Sequence, residues 1–402
     1  MKVPYYRRLC ILLFLGWAVL YANRAVLPVL LSALARDWQL SHTQMGLINS
    51  AFFLAYALAQ LPSGHLADCW KPRPVMLAGY ALQGAAGLGA ATAAGPLGFT
   101  AWRALSGLGQ GSYYASQYAL AAGAIPPGRR GTMMAFINAG MAAGTIGGLV
   151  LTGWLVYTLG WHWRTTLALL GGTGLTLTAI MAVMVQADHG QATHRDRESS
   201  GRELPVVAVT AFFTMYGLYT LLTWTPYYLQ EVQGLSGQAS GLWTAVVPAL
   251  AIPAGLLAGW GSDRHGRFRV LLVLVPVAGA AVFLVSLPGI AWVVLGLALY
   301  GMTGKLVLDP ILIALLTDTV SPGARGRAFA VLNLASAAAA VVAPALTGAL
   351  ADMTDSFVPG LALAAALHGP AWVLLWRMQE SRRGSIGSGT TSVCSQAGDH
   401  TR

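Results

Sequence analysis

Apolar and polar residues alternate along the chain with a long period. Apolar runs occupy about 10–33, 44–66, 74–93, 97–121, 131–155, 163–187, 205–229, 239–261, 268–287, 290–318, 325–351 and 357–378, with short polar intervals between them. Each reaches the roughly 20 residues that a helix needs to cross a bilayer. The runs are continuous and do not alternate, so they predict helices rather than barrel strands. The opening MKVPYYRRLCILLFLGWAVLYA resembles a secretion signal at first. Its apolar stretch continues through Arg24 to Ala33, too long for a signal h-region, and it reads as the first span.

The second half of the pattern repeats the first. A shift of 195 residues brings Tyr21 onto Tyr216, Leu40-Ser41 onto Leu235-Ser236, and Gly46-Leu47 onto Gly241-Leu242. It also brings Gly64 and Asp68 onto Gly259 and Asp263, PPGRRG (126–131) onto SPGARG (321–326), Asn138 onto Asn333, and LTG (151–153) onto LTG (346–348). The matches include loop residues and charges, so a shared taste for apolar residues does not explain them. The predicted fold is an all-α membrane protein with twelve transmembrane helices in two pseudo-symmetric six-helix bundles. The expected units are an N-terminal bundle (1–187), a polar cytoplasmic linker (188–204), a C-terminal bundle (205–380) and a disordered Gly/Ser/Thr-rich cytoplasmic tail (381–402). Repeated halves with a site near the bilayer midplane are an architecture of secondary transporters.

Composition agrees with this reading. The chain has 402 residues, 56% hydrophobic and 9% charged, against about 25% charged in a soluble domain. Its net charge of +10 would suit a polyanion partner, but the basic residues are sorted to one side. With the N-terminus inside, Lys2, Arg7, Arg8, Lys71, Arg73, Arg129, Arg130, Arg264, Arg267, Arg269, Arg325 and Arg327 share the cytoplasmic face, leaving Arg36 and Arg164 opposite. The basic pI therefore reports topology and no nucleic-acid partner is expected. Twelve spans return both termini to the cytoplasmic side of an inner membrane. Cys10, Cys69 and Cys394 also map there, so no disulfide is expected.

Several segments resemble the major facilitator superfamily. GHLADCWKPR (64–73) is similar to its loop signature G-x-L-a-D-r-x-G-r-R, with a second copy in GWGSDRHGR (259–267). RALSGLGQG (103–111) resembles the fourth-span pattern R-x-x-x-G-x-G. YANRAVLPVLL (21–31) with the following second span resembles the anion:cation symporter branch, which typically begins Y-x-D-R. The resemblance implies a rocker-switch transporter whose first, fourth, seventh and tenth spans line the path. It also implies that Asp68, Arg73, Arg130, Asp263, Arg264 and Arg325 belong to cytoplasmic gating charges. The chain departs from the pattern at Cys69 and Lys71, which replace Arg and Gly. It departs again at Asn23 and Gln110, which stand where carboxylates implicated in proton coupling are usual. An amide cannot take up or release a proton near neutral pH.

Four ionisable residues lie away from the span ends: Arg24, Arg103, Lys305 and Asp309. A central Arg or Lys costs at least about 2.5–3.5 kcal/mol in a bilayer, so such residues normally face a polar interior. Helical spacing puts Tyr21 and Arg24 on one face of the first span. It does the same for Arg103, Gln110, Tyr114 and Gln117 in the fourth, Tyr216 and Tyr219 in the seventh, and Lys305 and Asp309 in the tenth. By the 195 shift, Lys305 is equivalent to Gln110, Asp309 to Tyr114, and Tyr219 to Arg24.

The expectation is that Arg24 and Lys305 face each other across a cavity and bind an anion, with Tyr21, Asn23, Gln110, Tyr114, Gln117, Tyr216 and Tyr219 completing the site. The guanidinium fork suits a carboxylate, sulfonate or phosphate. The bland alternative pairs Lys305 with Asp309 at i, i+4 as a structural tie, and a second lets Asp309 neutralise Arg24. Arg103 is read as structural. Asp309 is the candidate coupling carboxylate, for protons or in an anion exchanger. A drug or metabolite efflux role is the other transport reading, and a membrane sensor a third. In the fifth span, GMAAGTIGGLVLTG (140–153) is read as small residues for close helix packing rather than as an exporter signature. No enzyme activity, cofactor or metal site is predicted: there is no P-loop and the eight His show no metal spacing. The expected partners are a small anionic substrate, the lipid bilayer and, if coupling is protonic, protons. The expected state is a monomer.

Overall fold

A computed structural model describes residues 4–126, 129–186, 203–320 and 325–381, in which every regular element is helical. The N-terminal bundle comprises α1 (Tyr5–Trp38), α2 (His42–Trp70), α3 (Pro72–Thr92), α4 (Pro96–Ala124), α5 (Arg130–Gly153, continued by a π turn Trp154–Thr158) and α6 (Trp163–Met184). The C-terminal bundle comprises α7 (Leu204–Glu231), α8 (Gly237–His265), α9 (Arg267–Val285), α10 (Ile290–Thr303), α11 (Lys305–Thr319), α12 (Arg325–Thr354) and α13 (Val358–Ala366), the last span running on to Ser381. Nine of the described spans are long and apolar enough to cross a membrane by length and composition. The helices α2, α3 and α4, richer in small and polar residues, complete twelve. Apart from Glu203 and Leu204, which lead into α7, and Ser381, the expected linker and tail lie outside the described residues, as does Cys394.

Helix starts carry the repeat in their chemistry. Ser41 caps α2 by accepting from the Gln44 amide at 3.2 Å, while the Gln44 side chain accepts from the Ser41 amide at 3.0 Å. Its equivalent, Ser236, caps α8 by accepting from the Ala239 amide at 3.2 Å. The tenth span departs from the uninterrupted helix expected over 290–318. It breaks at Gly304, whose extended backbone ends α10 and starts α11 at Lys305. A Cβ there would lie 2.6 Å from the Tyr300 ring and carbonyl, so the break needs glycine.

Glycines also set how closely helices approach. Within the N-terminal bundle, a Cβ on Gly140 or Gly144 would meet the Phe14 or Ala18 carbonyl at 2.3 and 2.2 Å, so α1 and α5 touch backbone to backbone. Between bundles the contacts come as two copies. On α2, a Cβ at Gly46 would meet the Pro344 carbonyl at 2.3 Å, and on α12 one at Gly348 would meet the His42 carbonyl at 2.3 Å. On α8, a Cβ at Gly241 would meet the Leu149 carbonyl at 2.5 Å, and on α5 one at Gly153 would meet the Gly237 carbonyl at 3.0 Å. Every member of the second crossing is 195 residues from its counterpart in the first.

Both crossings lie toward the end of the molecule that carries the α1–α2 and α7–α8 turns, here the far end. The opposite, basic end carries the α2–α3 and α8–α9 turns with Lys71 and Arg267. Polar ties between bundles gather at the far end. Arg36 pairs with Glu231 at 2.8 Å, Asp352 accepts from the His42 and Thr43 amides at 2.9 and 2.8 Å, and Thr158 donates to Gln238 at 2.8 Å.

Candidate functional site

A cavity of about 570 Å³ opens between the bundles at mid-span, merging with a second space of about 390 Å³. Tyr21, Arg24, Phe53, Asn138, Tyr219 and Asp309 border both. It extends toward the basic end, past Leu256 of α8 and Phe329 and Leu332 of α12. Besides the first, fourth, seventh and tenth spans, the second, fifth, eighth and eleventh contribute walls.

Arg24 projects from the middle of α1 into this space. Its Nε donates to the Gln110 side-chain carbonyl at 2.7 Å, and Gln110 Nε2 in turn donates to the Leu20 carbonyl at 3.3 Å. The guanidinium lies 4.6 Å from the Tyr21 ring centroid and 4.4 Å from that of Tyr56. A desolvated cation–π contact contributes about 2 kcal/mol, which offsets part of the burial cost. No acidic group pairs with Arg24 among the described residues, and one terminal nitrogen, Nη2, is buried with no protein partner. The charge is held rigidly by an amide and two aromatic faces but is not neutralised.

Arg103 lies behind this wall, 2% exposed. It donates from Nη1 to the Asn23 backbone carbonyl at 3.2 Å and its side-chain oxygen at 3.3 Å, with its guanidinium 4.7 Å from the Phe52 ring. Asn23, where the branch usually carries Asp, is therefore the partner of a second buried guanidinium. Its equivalence to that carboxylate is visible in the sequence; its bond to Arg103 is not.

Lys305 corrects the expectation of two cations facing across the cavity. It is fully buried and does not border the open space, whereas Asp309, 32% exposed, does. The two form an ion pair one helical turn apart. The break at Gly304 places Lys305 in the first turn of α11, where the helix dipole disfavours a cation, and Asp309 supplies the offsetting charge. The pair has its base ahead of its acid, the weaker order along a helix, so it compensates burial more than it strengthens the helix. The repeat is kept in function-like detail. Gln110 and Lys305, equivalent by the 195 shift, both sit beneath the wall and hold the residue that reaches it. Tyr114 and Asp309, also equivalent, both border the cavity.

The remaining expected site residues divide. Tyr21, Tyr114 and Tyr219 border the cavity, and Tyr219 packs on Phe53 with ring centroids 4.4 Å apart. Asn23, Gln110 and Gln117 are buried behind it. Tyr216 turns into the core of the C-terminal bundle, so its match to Tyr21 does not extend to position on the wall. Residues that the sequence reading missed include Tyr56, Tyr118 and Asn138, whose side-chain oxygen accepts from Tyr118 at 2.6 Å. Asn333, the counterpart of Asn138, also borders the cavity and is bonded to Gln60 across the bundles. The recurrence of asparagine at one offset was the available signal.

The expected gating charges stay within their own bundles where they are described. Arg73 donates to the Ala182 carbonyl at 2.5 Å and Arg130 to that of Ile125 at 3.2 Å. Asp263 pairs with Arg267 at 3.0 Å, which also holds Asp318, and Arg264 lies over the Trp260 ring at 5.5 Å. The side chains of Asp68, Cys69 and Arg325 lie outside the described residues.

Residues 12–344 match the family model of the Major Facilitator Superfamily. The chain belongs to this superfamily. Among curated superfamily relatives, the probable galactarate/D-glucarate transporter of Bacillus subtilis is 26% identical over 403 residues, covering 88% of each chain. The gentisate transporter of Corynebacterium glutamicum is 26% identical over 376 residues, covering 87% of this chain and 83% of its own. The superfamily fold is seen again in a bacterial homologue of the human lysosomal transporter Spinster, crystallised inward-facing and occupied. That structure has a TM-score of 0.82 at 16% identity, over 94% of this chain and 98% of that one.

Proposed function

We propose that this superfamily member is a secondary transporter that carries a small organic anion of carboxylate, sulfonate or phosphate type across the cytoplasmic membrane by alternating access. The observation that carries the reading is the unneutralised Arg24 guanidinium on the cavity wall, with a terminal nitrogen that has no protein partner. Relatives named for galactarate, glucarate and gentisate support it. On this reading the chain divides into bundles 1–187 and 205–380, with a linker 188–204 and a tail 381–402, and works as a monomer. The basic end faces the cytoplasm, with both termini, and the cavity reaching that end is an inward-facing arrangement. Arg73, Arg130, Asp263 and Arg264, released from contact between bundles here, would join Asp68 and Arg325 in closing that end. Asp309 is the carboxylate through which a proton would couple, since Asn23 and Gln110 do not titrate. Exchange of one anion for another needs no such group.

Efflux of lipophilic cations gains no support from the cavity. Asp309 is the acid such a cation would use, and Lys305 already compensates it. The test is anion uptake into proteoliposomes. Arg24→Ala should lose at least about tenfold of the uptake, and Arg24→Lys, which keeps the charge but not the fork, should fall between. Undiminished uptake by Arg24→Ala would refute the assignment.

A further inference from the structure

We infer that the transported anion is a monocarboxylate on a compact aromatic or apolar body, not a polyhydroxylated acid or diacid. The inference rests on the anion-carrier reading above and narrows it.

Charge sets the number of carboxylates. Among the described residues that border the cavity, Arg24 is the one cation and Asp309 the one carboxylate. Arg103 and Lys305 are buried away from the open space. A single carboxylate finds a fork at Arg24. A second, carried on the same small molecule, would meet no cation and would share the space with Asp309.

Hydrogen-bonding capacity sets the body. Tyrosine rings surround Arg24, at Tyr21 and Tyr56, and Tyr219 stands on the opposite bundle. The Tyr56 and Tyr219 hydroxyls lie beside the Arg24 guanidinium. Away from Arg24, toward α8 and α11, the wall is Leu222, Pro248, Ile252, Leu306 and Ile313. The polar side chains beside that wall are each engaged at one atom. Asn49 donates to Thr223 at 2.9 Å, Thr145 donates to the Met141 carbonyl at 2.9 Å, and the Asn138 oxygen is taken by Tyr118. A chain of sugar hydroxyls entering there would give up water for few new partners, while a flat apolar ring would give up none.

The test uses purified protein in liposomes with three labelled probes: 4-hydroxybenzoate, glucuronate and galactarate, each against protein-free liposomes. Glucuronate separates hydroxylation from the second charge. The inference expects saturable 4-hydroxybenzoate uptake that Arg24→Ala abolishes and Arg24→Lys partly keeps. It also expects tenfold excesses of glucuronate and galactarate to compete weakly, about tenfold or more below unlabelled 4-hydroxybenzoate. Ile313→Ser, on the apolar wall, should raise the KM for 4-hydroxybenzoate by about fivefold with kcat little changed. Arg24-dependent uptake of glucuronate or galactarate at equal or higher kcat/KM would overturn the inference and leave the anion-carrier reading standing. Failure of all three probes to show Arg24-dependent uptake would overturn both.

Discussion

Arg36 and Glu231 are 195 residues apart, the offset that superimposes the two halves of the chain, and their side chains meet at 2.8 Å. Equivalent positions in two related bundles can touch only near the axis that relates them. The pair therefore marks where that axis leaves the molecule, at the far end. Both groups reach solvent, with side-chain exposures of 70% and 32%, so the tie is weak and reversible.

Breaking it should shift the conformational balance without unfolding the chain. An exposed pair contributes about 0.2–1 kcal/mol, so Glu231→Lys should change the ratio of far-end-closed to far-end-open states by up to about fivefold. Combining Arg36→Glu with Glu231→Arg should restore it. Distances between spin labels on Gln39 and Val232 report the ratio.

Asp352 should matter more. It accepts from two amides that open α2, from His42 Nδ1 at 2.7 Å and from Thr43 Oγ1 at 2.5 Å, all across the bundle interface. Charge-assisted bonds of this kind contribute about 1.5–3 kcal/mol, so Asp352→Ala should open the far end more than Glu231→Lys does. The same spin-label distances rank the two.

Gln110→Glu should convert an indifferent neighbour of Arg24 into a competitor. The new carboxylate would sit within bonding distance of Nε and pair with the guanidinium. Ionised, it would oppose anion binding by about tenfold. Protonation on acidification would relieve the opposition, so the variant should gain affinity as pH falls. In the wild type Gln110 contributes no such dependence. Binding titrations from pH 7.5 to 4.5 separate the two.

The Lys305–Asp309 pair makes an asymmetric prediction. Asp309→Asn leaves a fully buried ammonium without its partner, which should cost about 3–5 kcal/mol. Lys305→Met leaves Asp309 facing the cavity, where water reaches it, and should cost less. The double substitution should recover most of the loss. Thermal unfolding in detergent gives the order, and retained anion binding by the double variant would show that Lys305 acts only through Asp309.

Glycine substitutions should sort by location. Gly144→Val forces apart two helices of one bundle and should lower stability by about 1–3 kcal/mol. Gly46→Val and Gly241→Val wedge the two interbundle crossings and should favour the far-end-open state to similar extents. Melting temperature and spin-label distance distinguish the outcomes.

Much of this was legible in the sequence. The span pattern and the 195 offset gave twelve helices and two bundles, because bilayer thickness imposes one length on every span and duplication leaves turn glycines and caps in register. The chemistry was legible as far as residue type goes: Arg24 reaches the cavity as its helical face required. Lys305 did not, because an i, i+4 spacing groups two residues on one face without saying which reaches the opening; Asp309 does, and Lys305 lies beneath it as its counterpart Gln110 does. Tyr216 fails in another way. A face shared with Tyr219 is wide enough for one ring to line the opening while the other fills the core. Tyr56 and Asn138 were missed because a tyrosine or asparagine in a span carries no burial cost large enough to single it out.

The paired glycine crossings give the molecule a fulcrum. With Gly46 against Pro344 and Gly241 against Leu149, the two bundles bear on each other at two backbone points related by the internal duplication. A lever seated on two such bearings tilts about the line joining them without sliding along it. The orientation of the cavity is thus governed by how far two rigid bodies tip.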